Sequence, residues 1–237
     1  MCAVFQIPQG IVDNFPNYAT GINLLLWEFF IGSLFLWGII SWVNANRAEL
    51  ENVKKTEKTR AFFGLMYGFS RIWFLIGVLR NGGAEYDFWT NMGYLFSMIG
   101  LTVYIAGIER YTLRQIPAFT LFGIISIVIT STGFEGLIPG LSNLRQDILV
   151  YVSIASGVLA IILAYLYIKL ISKFPGNLRK RTSYELLGIF FFVLGIIMDG
   201  ELFLSNPTIP LFYKEIIPPI MATIGIIMVT IAHNTAE

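Results

Sequence analysis

The 237 residues are 56% hydrophobic and 13% charged, with a net charge of +1; a soluble domain carries roughly 25% charged residues, so the composition is that of a polytopic membrane protein. Near-neutrality excludes the basic face by which a folded domain holds nucleic acid. One cysteine, Cys2, excludes an internal disulfide, and one histidine, His233, excludes multi-histidine metal chemistry.

Residues 1–20 lack a basic leader and a long apolar core, and they include Pro8 and Pro16, so they read as an external N-terminal segment and not as a cleaved signal peptide. From residue 21 to 237 the chain reads as one membrane domain. Apolar runs long enough to cross the ~30 Å hydrocarbon core predict an all-α bundle of seven transmembrane helices, near 21–43, 61–79, 88–108, 116–134, 148–171, 184–204 and 215–233. The fourth is the shortest.

The first span carries Glu28 and the second carries Arg71, each eight or nine residues from the same end of the bundle, hence at nearly the same depth. An intramembrane charge survives only against protein or water, and adjacent antiparallel helices usually touch. The expectation is a Glu28–Arg71 ion pair. Gly64 and Gly68 lie behind Arg71 on its own face, and Gly32 lies one turn from Glu28; all three are expected to admit a close helix neighbour. The five tryptophans, Trp27, Trp37, Trp42, Trp73 and Trp89, read mostly as an interfacial belt.

In the third span Asn91, Tyr94 and Ser97 recur on one face. In the sixth, Asp199 and Glu201 stand about 200° apart around a helix, and Asp199 is the inward candidate because it shares a face with Gly195 and Phe192. Glu28, Arg71, Asn91, Tyr94 and Asp199 together predict a ligand-binding pocket or buried polar network in the outer half of the bundle. Pro218-Pro219 are expected in the first turn of the seventh span, where a missing N–H costs little. Thr223 and Thr230 on that span are expected to bond their own backbone.

Orientation follows from the basic residues. Arg47, Lys54, Lys55, Lys58, Arg60, Arg110, Arg114, Lys169, Lys173, Arg179, Lys180 and Arg181 fall on one side, against Arg80, Arg145 and Lys214 on the other. The positive-inside rule then places the N-terminus outside and the C-terminus in the cytoplasm, in a cell membrane. The charged stretch from Glu49 to Lys58 reads as a solvated helical extension.

SMIGLTVYIAGIE at 97–109 echoes ATIGIIMVTIAHN at 222–234, which points to two three-helix units joined by the fourth span. That plan resembles the 3+1+3 transporters such as the sugar uniporters of the SWEET type, but without their proline-glutamine signature, because Pro8-Gln9 lies in the N-terminal tail. The seven-span plan is also similar to that of sensor domains. No lysine in the seventh span could hold retinal, no metal site or cofactor motif is present, and no catalytic serine, histidine and acid fall together. The leading expectation is therefore a non-enzymatic, receptor-like or sensory protein that binds an unidentified small molecule in its outer half, lies in the lipid bilayer and signals to a cytoplasmic or membrane partner. A small-solute transporter and an accessory subunit of a membrane complex are the alternatives.

Overall fold

The computed structural model describes residues 21–79, 84–132, 145–199 and 208–234, and among these it contains helices and no strand. Seven α-helices follow one another: α1 (Gly21–Arg47), α2 (Glu51–Leu79), α3 (Ala84–Gly107), α4 (Ala118–Thr132), α5 (Arg145–Lys173), α6 (Gly176–Met198) and α7 (Leu211–Asn234). A π-helical stretch, Ile108–Leu113, continues α3. The proposed external segment 1–20 and Glu201 lie outside the described residues.

The distribution of polarity is the reverse of that in a soluble bundle, where polar side chains face outward. Along α1 the exposed positions Ile22, Leu25, Phe29, Leu36, Ile39 and Val43 are large and apolar, and α4 to α7 carry similar outward stripes, whereas Arg60, Arg71, Asn91, Ser97, Thr102 and Glu109 are buried. A surface of this kind matches the side of a helix that faces hydrocarbon. Among the described residues four stretches, Ile22–Arg47, Phe88–Leu113, Gly176–Met198 and Tyr213–Ala232, are long and apolar enough to cross a membrane. Ala118–Ser131 is apolar but shorter.

The helices pack in chain order, and α1 also packs against α7, so the seven close into a ring; α3 reaches across it to α5. Glycine sets the closest approaches. A Cβ at Gly64 would stand 2.9 Å from the Leu34 carbonyl oxygen and 3.0 Å from Gly38, so α1 and α2 meet backbone to backbone there. On α3, Gly93, Gly100 and Gly107 repeat every two turns and receive Phe74, Met66 and Thr59 of α2. On the other side of the ring Gly188 and Gly195 of α6 meet α7, and a Cβ at Gly225 would collide with the Phe192 nitrogen. Without a hydrophobic drive between helices in lipid, this close van der Waals contact is what binds them. Gly68 is filled by the Phe35 ring, but Gly32 has nothing within 4 Å and is not a packing glycine.

Two further expectations are corrected. Because α7 begins at Leu211, Pro218 and Pro219 lie inside the helix, not in its first turn. Pro219 cannot donate to the carbonyl of residue 215; Asn23 Nδ2 donates to it instead, at 2.6 Å, tying the start of α1 to α7. Thr223 Oγ1 donates to the Pro219 carbonyl at 2.7 Å, and Thr230 Oγ1 to that of Ile226. The sixth helix stops at Met198, short of 204, with Asp199 as its C-cap.

Candidate functional site

Arg71 is 8% exposed and its Nη1 lies 2.9 Å from Asp199 Oδ2, so α2 is joined to α6. Four rings frame the guanidinium: its carbon is 4.9 Å from the centroid of Trp27, 5.3 Å from Phe74, 5.6 Å from Tyr67 and 6.0 Å from Phe30. A cation over desolvated aromatic faces is attracted to each ring quadrupole, by about 2 kcal/mol in favourable cases. The rings therefore stabilise the charge that a bare apolar interior would reject.

This arrangement overturns the Glu28–Arg71 pair. Trp27 and Phe30 are the α1 residues that face Arg71, and the residue after Trp27 points about 100° away along the helix; Glu28 is exposed on the outer surface of the ring. Depth was the same, but orientation was not. Of the other expected members, Tyr94 packs edge-on against Phe74 at 5.0 Å and so reaches the Arg71 layer through that ring. Asn91 is buried at 3%, and Ser97 Oγ donates to the Tyr94 carbonyl. Trp27 and Trp37 are likewise interior residues, at 6% and 2% exposure, and not members of an interfacial belt.

Below the Arg71 layer the interior is aromatic. Phe192 of α6 contacts Phe30 at 6.1 Å, Phe63 at 6.2 Å and Tyr67 at 5.1 Å. Phe63 in turn stacks on Tyr104 at 5.2 Å, and Trp37 meets both edge-on. These rings are the tertiary link between α1, α2, α3 and α6.

Beyond them lies a second charged layer. Arg60 Nη1 is 2.9 Å from Glu57 Oε1, and its Nη2 is 3.3 Å from Glu185 Oε2 on α6. Its Nε donates to the Tyr104 hydroxyl at 3.2 Å and its Nη2 to the Tyr167 hydroxyl at 3.4 Å. The two tyrosine hydroxyls also hydrogen-bond each other. Arg181 Nε reaches Glu185 Oε1 at 3.2 Å. Side chains of α2, α3, α5 and α6 thus converge, with two carboxylates balancing two guanidiniums. Glu57 and Arg60, expected among solvated or topology-setting charges, are instead buried at 5% and 7% exposure. The signal that could have found them was the three-residue spacing of Glu57 and Arg60 opposite Glu185, an acid at the start of an otherwise apolar run.

Glu109, with no exposed surface, belongs to a different kind of site. Its carboxylate accepts from Phe119 N, Thr120 N and Thr120 Oγ1 at 3.2, 2.9 and 2.7 Å. It thereby caps α4, whose first N–H groups have no intrahelical acceptor. Gln115 Nε2 donates to the same carboxylate, and Lys169 Nζ donates to Gln115 Oε1 at 2.6 Å. This is structural work at the α3–α4 corner. Among the described residues no group of three or more histidine, cysteine, aspartate or glutamate side chains is arranged to hold a metal ion.

Arg60 precedes Arg71 along α2 just as Glu185 precedes Asp199 along α6, so the two helices run parallel. The two ion pairs that join them are contacts between side chains. The class defined so far is an all-helical bundle with four membrane-length apolar helices and two buried ionic layers. No protein-family model, no curated protein and no solved structure matches the chain.

Proposed function

We propose that the chain is a seven-span membrane protein that carries a small solute between two three-helix units, α1–α3 and α5–α7, with α4 as the linker. The supporting observation is the pair of ionic contacts between α2 and α6. Each is the middle helix of its unit, and the two ion pairs sit at opposite ends of an aromatic layer. The layers are separated by roughly 16 Å along α2 and 21 Å along α6, at about 1.5 Å per residue.

The energetics favour a moving device over a static lock. A buried ion pair contributes no more than well-packed apolar side chains of similar volume and often less, so stability alone gives no reason for two of them. Alternating access does require a breakable contact at each end, one open while the other holds. The positive-inside bias puts the Arg71 layer on the external side and the Arg60 layer on the cytoplasmic side.

A sensor is the second reading, favoured by the aromatic frame around Arg71, a cation among apolar rings of the kind that line small-ligand sites. The two readings differ in whether the interior opens to both sides. In a Cys2→Ser background, Phe30→Cys and Trp37→Cys report on either side of the aromatic layer. A transporter requires that Asp199→Ala expose Phe30→Cys to an impermeant thiol reagent from outside, and that Glu185→Ala expose Trp37→Cys from the cytoplasmic side. Opening on the external side alone would replace the transporter by the sensor.

A further inference from the structure

The turn between α5 and α6 is basic throughout. Between Asp147 and Glu185 the chain has no acidic residue, and it carries Lys169, Lys173, Arg179, Lys180 and Arg181. Lys169 donates to Gln115, and Arg181 reaches Glu185. Lys173, Arg179 and Lys180 are exposed and make no ion pair among the described residues. From this placement we infer that the turn holds the headgroup of an anionic phospholipid whose chains lie along α6. The site is independent of whether the interior carries a solute or senses one.

The local fold keeps the three cations together. Helix α5 ends at Lys173 and α6 begins at Gly176, so only Phe174 and Pro175 connect them. Gly176 has a φ of +56°, in the left-handed region that glycine enters without steric cost, and the chain reverses there at once. Arg179 and Lys180 are the fourth and fifth residues of α6, within about 6 Å of its start at about 1.5 Å per residue. At 23 residues α6 is about 34 Å long, just over the ~30 Å hydrocarbon core, so its first turn falls at headgroup level. The basic end is continuous with the lipid-facing side of the helix: Lys180, Tyr184, Leu187 and Phe190 follow one another at helical spacing, and all are exposed.

Charge complementarity selects the lipid. A guanidinium takes a phosphodiester in a two-pronged contact, and the two lysines add point charges. A zwitterionic headgroup offers the same phosphate but brings a cation that three positive side chains repel. A headgroup of net negative charge brings none. The α1–α2 corner shows the contrast, because its Arg47, Lys54, Lys55 and Lys58 are interspersed with Glu49 and Glu51. There Lys55 is 3.4 Å from Glu51, and Lys58 lies over the Trp42 ring. By the positive-inside bias both corners meet the cytoplasmic leaflet, whose surface is negative.

The test uses the full chain with Tyr184→Trp as a reporter, in phosphatidylcholine nanodiscs that contain bromine-labelled phosphatidylglycerol or bromine-labelled phosphatidylcholine. The chain without the reporter supplies the signal of the five native tryptophans for subtraction. Bromine quenches a tryptophan that it touches, so the quenching reads the relative affinity of each lipid for this site. One cation near an anionic surface is worth about fivefold, and phosphatidylglycerol is expected to exceed phosphatidylcholine at least tenfold. Lys180→Gln should cut that preference about fivefold, and Lys173→Gln, Arg179→Gln and Lys180→Gln together should abolish it. Arg47→Gln, Lys54→Gln and Lys58→Gln together remove the same charge elsewhere and should leave it within about twofold. Equal quenching by the two lipids, a preference that survives the loss of Lys173, Arg179 and Lys180, or an equal loss from both triple changes overturns the site. Displacement of phosphatidylglycerol by millimolar inorganic phosphate at constant ionic strength would assign the turn to a soluble anion and overturn the lipid. Both leaflets of the nanodisc have the same composition, so the result does not depend on which side of the membrane the turn occupies.

Discussion

The Arg71 and Arg60 layers solve the same problem, a guanidinium inside an apolar bundle, in different ways. Arg71 has one carboxylate, Asp199, a side-chain hydrogen bond with Tyr67 and the faces of the surrounding rings; Arg60 has two carboxylates and two tyrosine hydroxyls within hydrogen-bonding distance. A ring quadrupole stabilises a cation without fixing its direction, whereas a hydrogen-bond network fixes it. The Arg71 layer therefore depends more on its one carboxylate, and the Arg60 layer can share a loss among its members.

That contrast makes ordered predictions for unfolding in detergent micelles. The largest effect belongs to Asp199→Ala, which removes the carboxylate partner of a buried arginine and should cost about 3–5 kcal/mol. Glu185→Ala should cost less, about 1–3 kcal/mol, because Glu57 still holds Arg60. A larger loss at Glu185 than at Asp199 would invert the comparison. Tyr104→Phe deletes one hydroxyl shared between Arg60 and Tyr167, and a loss of about 1 kcal/mol is expected, measured against Tyr67→Phe as the corresponding change beside Arg71. The smallest effect belongs to Glu28→Gln on the outer surface, within about 0.5 kcal/mol of zero. A loss comparable with that of Asp199→Ala would restore Glu28 as the partner of Arg71.

Hydropathy carried the helical content because a bilayer demands long apolar runs whatever the tertiary arrangement. Arg71 and Asp199 were also legible as inward residues, since a charge in an apolar run must face protein. Their pairing was not. Chain adjacency favoured Glu28, but the angular position of Trp27 on the same turn decided the contact, and no single-helix count could show which face of α1 meets α2. The Arg60 layer was hidden for another reason. A charge near the end of a span looks the same in sequence whether it enters water or a neighbouring tyrosine pair, and the Tyr104–Tyr167 contact joins residues 63 apart. The glycine positions show the same limit: Gly32 and Gly64 are alike in sequence, yet one faces open space and the other a carbonyl oxygen at 2.9 Å.

The Asn23 contact with α7 bears on how the molecule is made. Its two members are 192 residues apart, so at about 5–20 residues per second of synthesis the α1 amide waits roughly 10–40 s for its acceptor. Through that interval the ring is an open arc, and the bond that ties the start of α1 to α7 forms only once α7 has been made.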